Sequence, residues 1–327
     1  MRKSGSGALR LFAGIVACAG LPAADASAQN YPVKPIRLVV GFPVGVGSDT
    51  TARMVALKLP EHLGQPVVVE NRTGAAGQLA TERVATSPAD GYTLLMITTA
   101  ETIRPGLRAS LPYDLERDFA PVSLVAVAPF VLIVHPSVPA RDVKELIALA
   151  RSQPGKLSYG STGIGSTSHL AGELFKFMTG INIVHVAYKG STETAIATVS
   201  GQLEMSFSVI TAVMPLLNTG KIRPFAVTSA KRAALLPSIP TIDESGLRGY
   251  KMPTWFGVIA PAAVPKNIIA RLNAVIDKAV NTPEVNEALN KQGIEVETNT
   301  PEQFAALIHS EIAQNLKLIK SAGIKAE

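Results

Sequence analysis

The sequence predicts an α/β chain folded as two lobes that are joined by two crossing segments. Three observations predict it. Residues 31–99 alternate strand and helix in a βαβαβ order, which implies a parallel sheet with right-handed crossovers. The β-like run over residues 122–134 is broken only by Pro129 and is too long for one ordinary strand, so it reads as a crossing into a second lobe. Residues 255–260 read as the return crossing. The expected division is residues 29–125 with 253–327 in the first lobe and 126–252 in the second.

Each element has its own signal. Residues 36–40 are apolar and β-branched. Residues 49–62 carry Ala52, Val55, Ala56 and Leu59 at helical spacing, and Gly64 marks the end. A strand over 67–69, a short helix over 77–85, a turn at Ser87-Pro88-Ala89-Asp90-Gly91 and a strand over 93–98 follow. The second lobe should hold helices over 141–152, 166–178, 192–200 and 212–218, with strands at 157–159, 184–186, 205–209 and 224–228. The C-terminal third reads as helical, with Ile268, Leu272, Val275, Ile276 and Ala279 on one stripe. Thr282-Pro283 gives an N-cap followed by proline at the first helical position, and Thr300-Pro301-Glu302-Gln303 adds a capping-box Gln.

The N-terminus reads as an export signal. Arg2, Lys3 and Arg10 precede and flank a short apolar run, and Ala26-Ser27-Ala28 is a small-residue cleavage site, so residues 1–28 are expected to be removed. The alternative is a lipoprotein signal at Ile15-Val16-Ala17-Cys18 that would acylate Cys18. Cleavage after Ala28 removes the only cysteine and with it any disulfide or thiolate chemistry. With 47% hydrophobic residues, the remainder is long enough to be held by its own core. The formal charge of +6 loses three positive residues and Asp25 with the signal, leaving a mildly basic chain. Lys and Arg are scattered, so no nucleic-acid arm or membrane patch is indicated.

Two glycine-rich loops carry the functional information. Gly41-Phe42-Pro43-Val44-Gly45-Val46-Gly47-Ser48-Asp49 and Gly160-Ser161-Thr162-Gly163-Ile164-Gly165-Ser166-Thr167-Ser168-His169 each follow a strand and open a helix. A helix N-terminus has unpaired N–H groups and a partial positive charge, and glycine lets a ligand approach that backbone. Two such mouths on two lobes suggest closure on one small anion. Asp49 in the first turn would repel a carboxylate, so it either caps the loop or accepts a proton from the ligand. The hydroxyls of Ser161, Ser166 and Ser168 admit three readings: helix capping, ligand hydrogen bonding, and a nucleophile beside His169.

Other chemistries fit less well. Gly45-Val46-Gly47 is half a dinucleotide fingerprint, but position 50 is Thr, and no phosphate loop exists. The G-x-S-x-G elbow is absent. No two of the five histidines are close in sequence, so no metal site and no cofactor are expected.

The chain resembles the Bug-type receptors of tripartite tricarboxylate transporters. The likeness rests on Tyr31-Pro32-Val33-Lys34-Pro35-Ile36-Arg37, the loop from Phe42 to Asp49, Glu70-Asn71-Arg72-Thr73-Gly74, and Asp90-Gly91-Tyr92-Thr93. It continues through Tyr159 to Phe175, Tyr188-Lys189-Gly190 and Trp255-Phe256-Gly257. The resemblance implies a type II, Venus-flytrap fold, a periplasmic solute-binding role without a reaction, a small organic acid (a dicarboxylate, tricarboxylate or aromatic acid) as ligand and a membrane permease as partner. A monomer is expected. Closure would be a hinge motion at the crossings near residues 99–134 and 249–260.

Carried onto this sequence, the first-lobe ligand residues are Phe42, Val44, Gly45, Val46, Gly47, Asp49 and Thr99, with the amides of Gly45, Val46 and Gly47 meeting a carboxylate. The second lobe would supply Ser161, Thr162, Gly163, Gly165, Ser166, Ser168, His169, Tyr188 and Ser208. The chain departs from the family at Val46, where glycine is usual, at Thr73 and Ala187, where proline is usual, and at Ser208, where an acid often stands. The last departure fits an acid with a plain or apolar body, an aromatic one included, rather than an amino acid. A sensor-feeding binding protein and an exported serine hydrolase are the other classes.

Overall fold

The computed structural model describes residues 31–324; the expected signal segment, its cleavage site and Cys18 lie outside the described residues. The chain begins with strand β1 (Ile36–Val40), helix α1 (Gly47–Lys58), the single turn α2 (Pro60–Leu63), β2 (Val67–Asn71), α3 (Gln78–Ala85) and β3 (Thr93–Thr98). Helix α4 (Thr99–Leu107), β4 (Phe119–Ala128), β5 (Phe130–Val134), α5 (Val143–Ser152), β6 (Ser158–Ser161) and α6 (Thr167–Thr179) follow. Then come β7 (Val184–Ala187), α7 (Ser191–Val199), β8 (Met205–Val209), α8 (Ile210–Val213) and β9 (Arg223–Val227). The return strand is β10 (Thr254–Pro261), and α9 (Lys266–Val280), α10 (Pro283–Asn290), β11 (Glu295–Val296) and α11 (Pro301–Ser321) complete the fold.

The strands form two sheets. One has six strands in the order β11-β4-β10-β3-β1-β2, the other five in the order β7-β6-β8-β5-β9. β1 runs parallel to β2 and β3, and β6 runs parallel to β7 and β8, as βαβ units require. The crossing strands are antiparallel. β10 lies between β3 and β4, with Phe256 opposite both Thr98 and Ala126, and β5 lies between β8 and β9. The long β-like run therefore divides at Pro129, with β4 in the six-stranded sheet and β5 in the other. Proline has no N–H to continue a ladder, so the strand changes sheets there.

Several segments differ from the sequence reading. Residues 49–62, expected as one helix, divide between α1 and α2 at Pro60, and β11 interrupts the helical C-terminal third. Residues 99–107, expected within a crossing, are helix α4. Thr98 caps it: Thr98 Oγ1 accepts the Ala100 N–H at 3.1 Å, and Glu101 Oε2 accepts the Thr98 N–H at 2.8 Å. Residues 212–218, expected as one helix, divide between the turn α8 and a 3₁₀ segment, Met214–Thr219, that has proline at its start. Thr282 precedes α10, but its hydroxyl donates to the Ala279 carbonyl instead of capping the helix. By contrast Thr300 and Gln303 form their reciprocal box at 3.3 and 3.1 Å.

The cores explain how the sheets are held. Around the six-stranded sheet, Val39, Leu95, Ile97, Leu124, Trp255, Phe304 and Ile308 form one buried cluster. Around the five-stranded sheet, Leu132, Leu146, Tyr159, Phe175, Phe207 and Tyr250 form another. That second cluster also takes in Ile103 of α4 and Leu318 and Ile319 of α11. These helices thus tie the two halves together on one side.

Candidate functional site

A cavity of about 960 Å³ opens between the sheets, at the C-terminal ends of β1, β3, β6 and β8. This is the end at which parallel α/β sheets present their loops. Both glycine loops form its walls, together with α4, the crossing at Pro129 and the turn at Gly293.

The first loop is fastened by its own helix. Gly45 has φ +87°, a conformation that costs a residue with Cβ roughly 1–2 kcal/mol. Asp49 turns back on it: Asp49 Oδ2 accepts the Gly45 N–H at 2.9 Å and Arg53 Nε–H at 2.9 Å, while Oδ1 accepts from Asn71 Nδ2 at 2.8 Å. Asn71 also donates to the Phe42 carbonyl at 3.0 Å. Burial would raise the Asp49 pKa, but the hydrogen bonds from Arg53, Gly45 and Asn71 outweigh it and hold the carboxyl below its ordinary range. The Gly45 amide is therefore spent on Asp49. Of the amides left open at this helix mouth, those of Val46, Gly47 and Ser48 belong to residues on the cavity wall. Gly47 is needed for packing, because a Cβ there would sit 2.8 Å from Phe256 Cζ.

The second loop carries a hydroxyl cluster. Ser166 is the N-cap of α6: its Oγ accepts the His169 N–H at 3.2 Å and donates to the Gly163 carbonyl at 2.7 Å. Ser168 Oγ accepts the Thr162 N–H at 3.0 Å and lies 3.0 and 3.1 Å from the hydroxyls of Thr162 and Ser166. Behind the loop, His169 Nδ1 accepts the Gly165 N–H at 3.0 Å, and Ser161 Oγ accepts the Gly163 N–H at 3.1 Å.

Of the residues expected from the sequence, Phe42, Gly45, Val46, Gly47, Thr162, Gly165, Ser166 and Ser168 stand on the cavity wall. The others do not line it. Val44 is at the exposed tip of the first loop, and Asp49, Ser161 and His169 lie behind the backbone they brace; Gly163, off the wall, is held by Ser161 and Ser166. Thr99 Oγ1 accepts the Trp255 N–H at 3.0 Å, tying α4 to β10, and the neighbouring Thr98 takes the wall position. The Tyr188 N–H donates to the Ser161 carbonyl at 2.9 Å. Ser208 is buried on β8 with its hydroxyl 3.2 Å from that of Ser206. The wall is instead reached by Val209, Ile210 and Thr211, where the strand ends.

Sequence reasoning missed the α4 wall. Ile103, Arg104, Leu107 and Arg108 all face the cavity. Arg104 is buried and anchored: it donates to Tyr113 Oη at 2.6 Å, to the Ala76 carbonyl at 2.6 Å and to Glu101 Oε1 at 3.3 Å. Ala75 and Ala76, also on the wall, have φ +45° and +53°, so Arg104 holds a strained pair of residues. The capping pattern Thr98-x-x-Glu101 was the available signal for α4.

The wall chemistry is one-sided. Phe42, Phe130, Phe256, Ile103, Ile210 and Ile294 supply apolar surface; hydroxyls, helix-mouth amides, Gln292 and two arginines supply the polar groups. Among the described residues no Asp or Glu lines this cavity, and no group of three metal-ligating side chains occurs. Such a site suits an anion with an apolar body.

The family model for the tripartite tricarboxylate transporter family receptor matches residues 51–324. The protein BugT of Bordetella pertussis is 36% identical over 95% of both chains. Among solved structures, R. palustris Rpa4515 with adipate is 38% identical and superimposes with a TM-score of 0.74, covering 91% of this chain and 100% of that one. MatC from Rhodopseudomonas palustris with bound malate is 30% identical with a TM-score of 0.70, covering 88% of this chain and 100% of that one. On this agreement of sequence and fold, the chain belongs to the receptor family of the tripartite tricarboxylate transporters.

Proposed function

We propose that this protein is a periplasmic receptor that captures a small organic acid between its lobes and delivers it to the membrane permease of a tripartite tricarboxylate-type transporter. Export would use residues 1–28. The observation that carries this reading is the convergence of two helix mouths on one cavity whose wall has arginines and hydroxyls but no carboxylate. One ligand carboxylate would take the amides of Val46, Gly47 and Ser48 and the hydroxyls of Thr162, Ser166 and Ser168.

The ligand class is an acid with an apolar body, a dicarboxylate or an aromatic acid. The aromatic and aliphatic wall supports an apolar body, and the adipate with Rpa4515 and the malate bound to MatC support a dicarboxylate. A binding role without turnover is supported by Ser161. It has His185 Nε2 at 2.6 Å, a nucleophile–base spacing, yet it is buried and off the wall where a substrate would lie.

The test is a thermal-shift screen of the purified protein against di- and tricarboxylates, aromatic acids, amino acids and neutral solutes. A ligand at a hundred times its Kd adds ~2.7 kcal/mol, a rise of several degrees. A shift confined to acids is expected. Shifts only with neutral solutes, or hydrolysis of a simple ester abolished by Ser161→Ala, would overturn the reading.

A further inference from the structure

The two glycine loops are built on one plan. In each, the glycine two residues before the helix has a positive φ, +87° at Gly45 and +75° at Gly165. In each, that glycine's N–H is accepted by the third residue of the helix, Asp49 Oδ2 at 2.9 Å and His169 Nδ1 at 3.0 Å. The acceptors differ in kind. Asp49 is an ionised carboxylate braced by Arg53 and Asn71. His169 can accept only while Nδ1 carries no proton.

The His169 ring is itself held. It is buried and stacked on His185, with ring centroids 3.9 Å apart and planes at 24°. His185 Nε2 lies 2.6 Å from Ser161 Oγ, the atom that accepts the Gly163 N–H. One pair of stacked imidazoles therefore reaches both glycine amides of the second loop.

We propose that His169, with His185 acting through Ser161, is the positioning residue of the second glycine loop and sets the geometry in which Ser166 and Ser168 meet the ligand. This rests on the reading of the cavity as the acid site. The groups that face the pair are Tyr159 from β6 and Glu173 and Lys176 from α6. Burial first, then the neighbouring His185, lower the His169 pKa to about 4, with Glu173 opposing. The loop is thus fastened at neutral pH and released in acid, when a protonated Nδ1 would confront the Gly165 N–H. Asp49 imposes no such release on the first loop in that range.

The test measures amide-exchange protection factors of Gly163 and Gly165 by NMR, and adipate affinity by calorimetry, from pH 7 to pH 4. The proteins are wild type, His169→Ala and His169→Asn. Asparagine has the reach that Asp49 uses from the same helix position, and it does not titrate. His169→Ala should lose Gly165 protection and weaken adipate roughly fivefold, the loss expected for one hydrogen bond. His169→Asn should restore both, and its affinity relative to wild type should rise as the pH falls; this ratio cancels protonation of adipate itself. If His169→Ala does not fold, the wild-type and asparagine profiles still decide. Unchanged Gly165 protection in His169→Ala, parallel pH profiles for wild type and His169→Asn, or lost protection with unchanged affinity would overturn the proposal. Failure of wild type to bind adipate or any other acid, with Gly165 protection still following residue 169, would instead sink the receptor reading and leave the loop lock standing.

Discussion

Leu107, at the end of α4, packs directly on Gly165 in the second glycine loop. A Cβ at position 165 would overlap the Leu107 side chain, and the Gly165 φ of +75° is itself unsuited to one. Two costs therefore meet at one residue, and they separate by mutation. Leu107 is flexible at its tip and can swing away, whereas the backbone cost stays. Gly165→Ala is expected to lower stability by ~1–2 kcal/mol from the φ constraint. Adding Leu107→Ala should recover little of that. Urea midpoints of the single and double variants check it; full recovery in the double variant would assign the cost to packing instead.

Asp49 supports the first loop through charge as well as shape. Its two oxygens accept from Gly45, Arg53 and Asn71, and every one of these partners is a donor. Asp49→Asn turns one oxygen into a donor facing donors, so a loss of ~2 kcal/mol at pH 7 is expected. Because the native carboxyl is held below its ordinary value near 3.8, its stabilisation is complete above that value and disappears as pH falls through the native one. The gap between wild type and variant should therefore narrow at pH 3, as chemical denaturation at the two pH values would reveal.

The elements that the sequence made legible are those whose cause is local. β1 and β3 follow from apolar runs, the two loops from glycines between strand and helix, and the Thr300 cap from residues three apart. The division at Pro129 was also local, since one residue without an N–H stops a ladder. What stayed hidden has distant causes. Ala75 and Ala76 hold positive φ without a glycine because Arg104, 28 residues from Ala76, ties down a carbonyl. α4 was obscured by Pro105 in its last turn. Ser208 failed as a wall residue because the strand pleat turns it inward beside Ser206, and the cavity begins one residue later. Which amides a ligand can use was illegible too, since Asp49 and His169 had each claimed one.

The buried histidines make stability depend on pH well above the carboxylate range. The unfolded chain takes up a proton at His169 near its ordinary value of 6.5, while the native protein refuses it until about 4. His185 is lowered in the same direction by burial. The unfolded state thus binds more protons in this window. The contribution is whole above about pH 6.5 and is lost as pH falls towards 4. Urea midpoints at pH 7.5, 6 and 5 should decline in the wild type and stay flatter in His169→Asn. A wild-type midpoint constant over that range would show that the pair is free to charge.

Arg104 and Glu101 form an ion pair that is buried on both sides, so its two halves should not be equally replaceable. Arg104 pairs with Glu101 at 3.3 Å, and both side chains are nearly inaccessible. Removing the cation alone leaves a buried carboxylate uncompensated and frees the strained Ala76 carbonyl, so Arg104→Met is expected to cost ~3–5 kcal/mol. Glu101 also accepts the Thr98 N–H that starts α4, which Gln can still do through its carbonyl oxygen. The double variant Arg104→Met/Glu101→Gln should therefore regain a large part of the lost stability. It should not regain ligand affinity, because nothing then holds Ala75 and Ala76 on the cavity wall. Denaturation curves together with acid-induced thermal shifts separate the two effects; recovery of both would mean that the Arg104–Ala76 bond has no part in shaping the cavity.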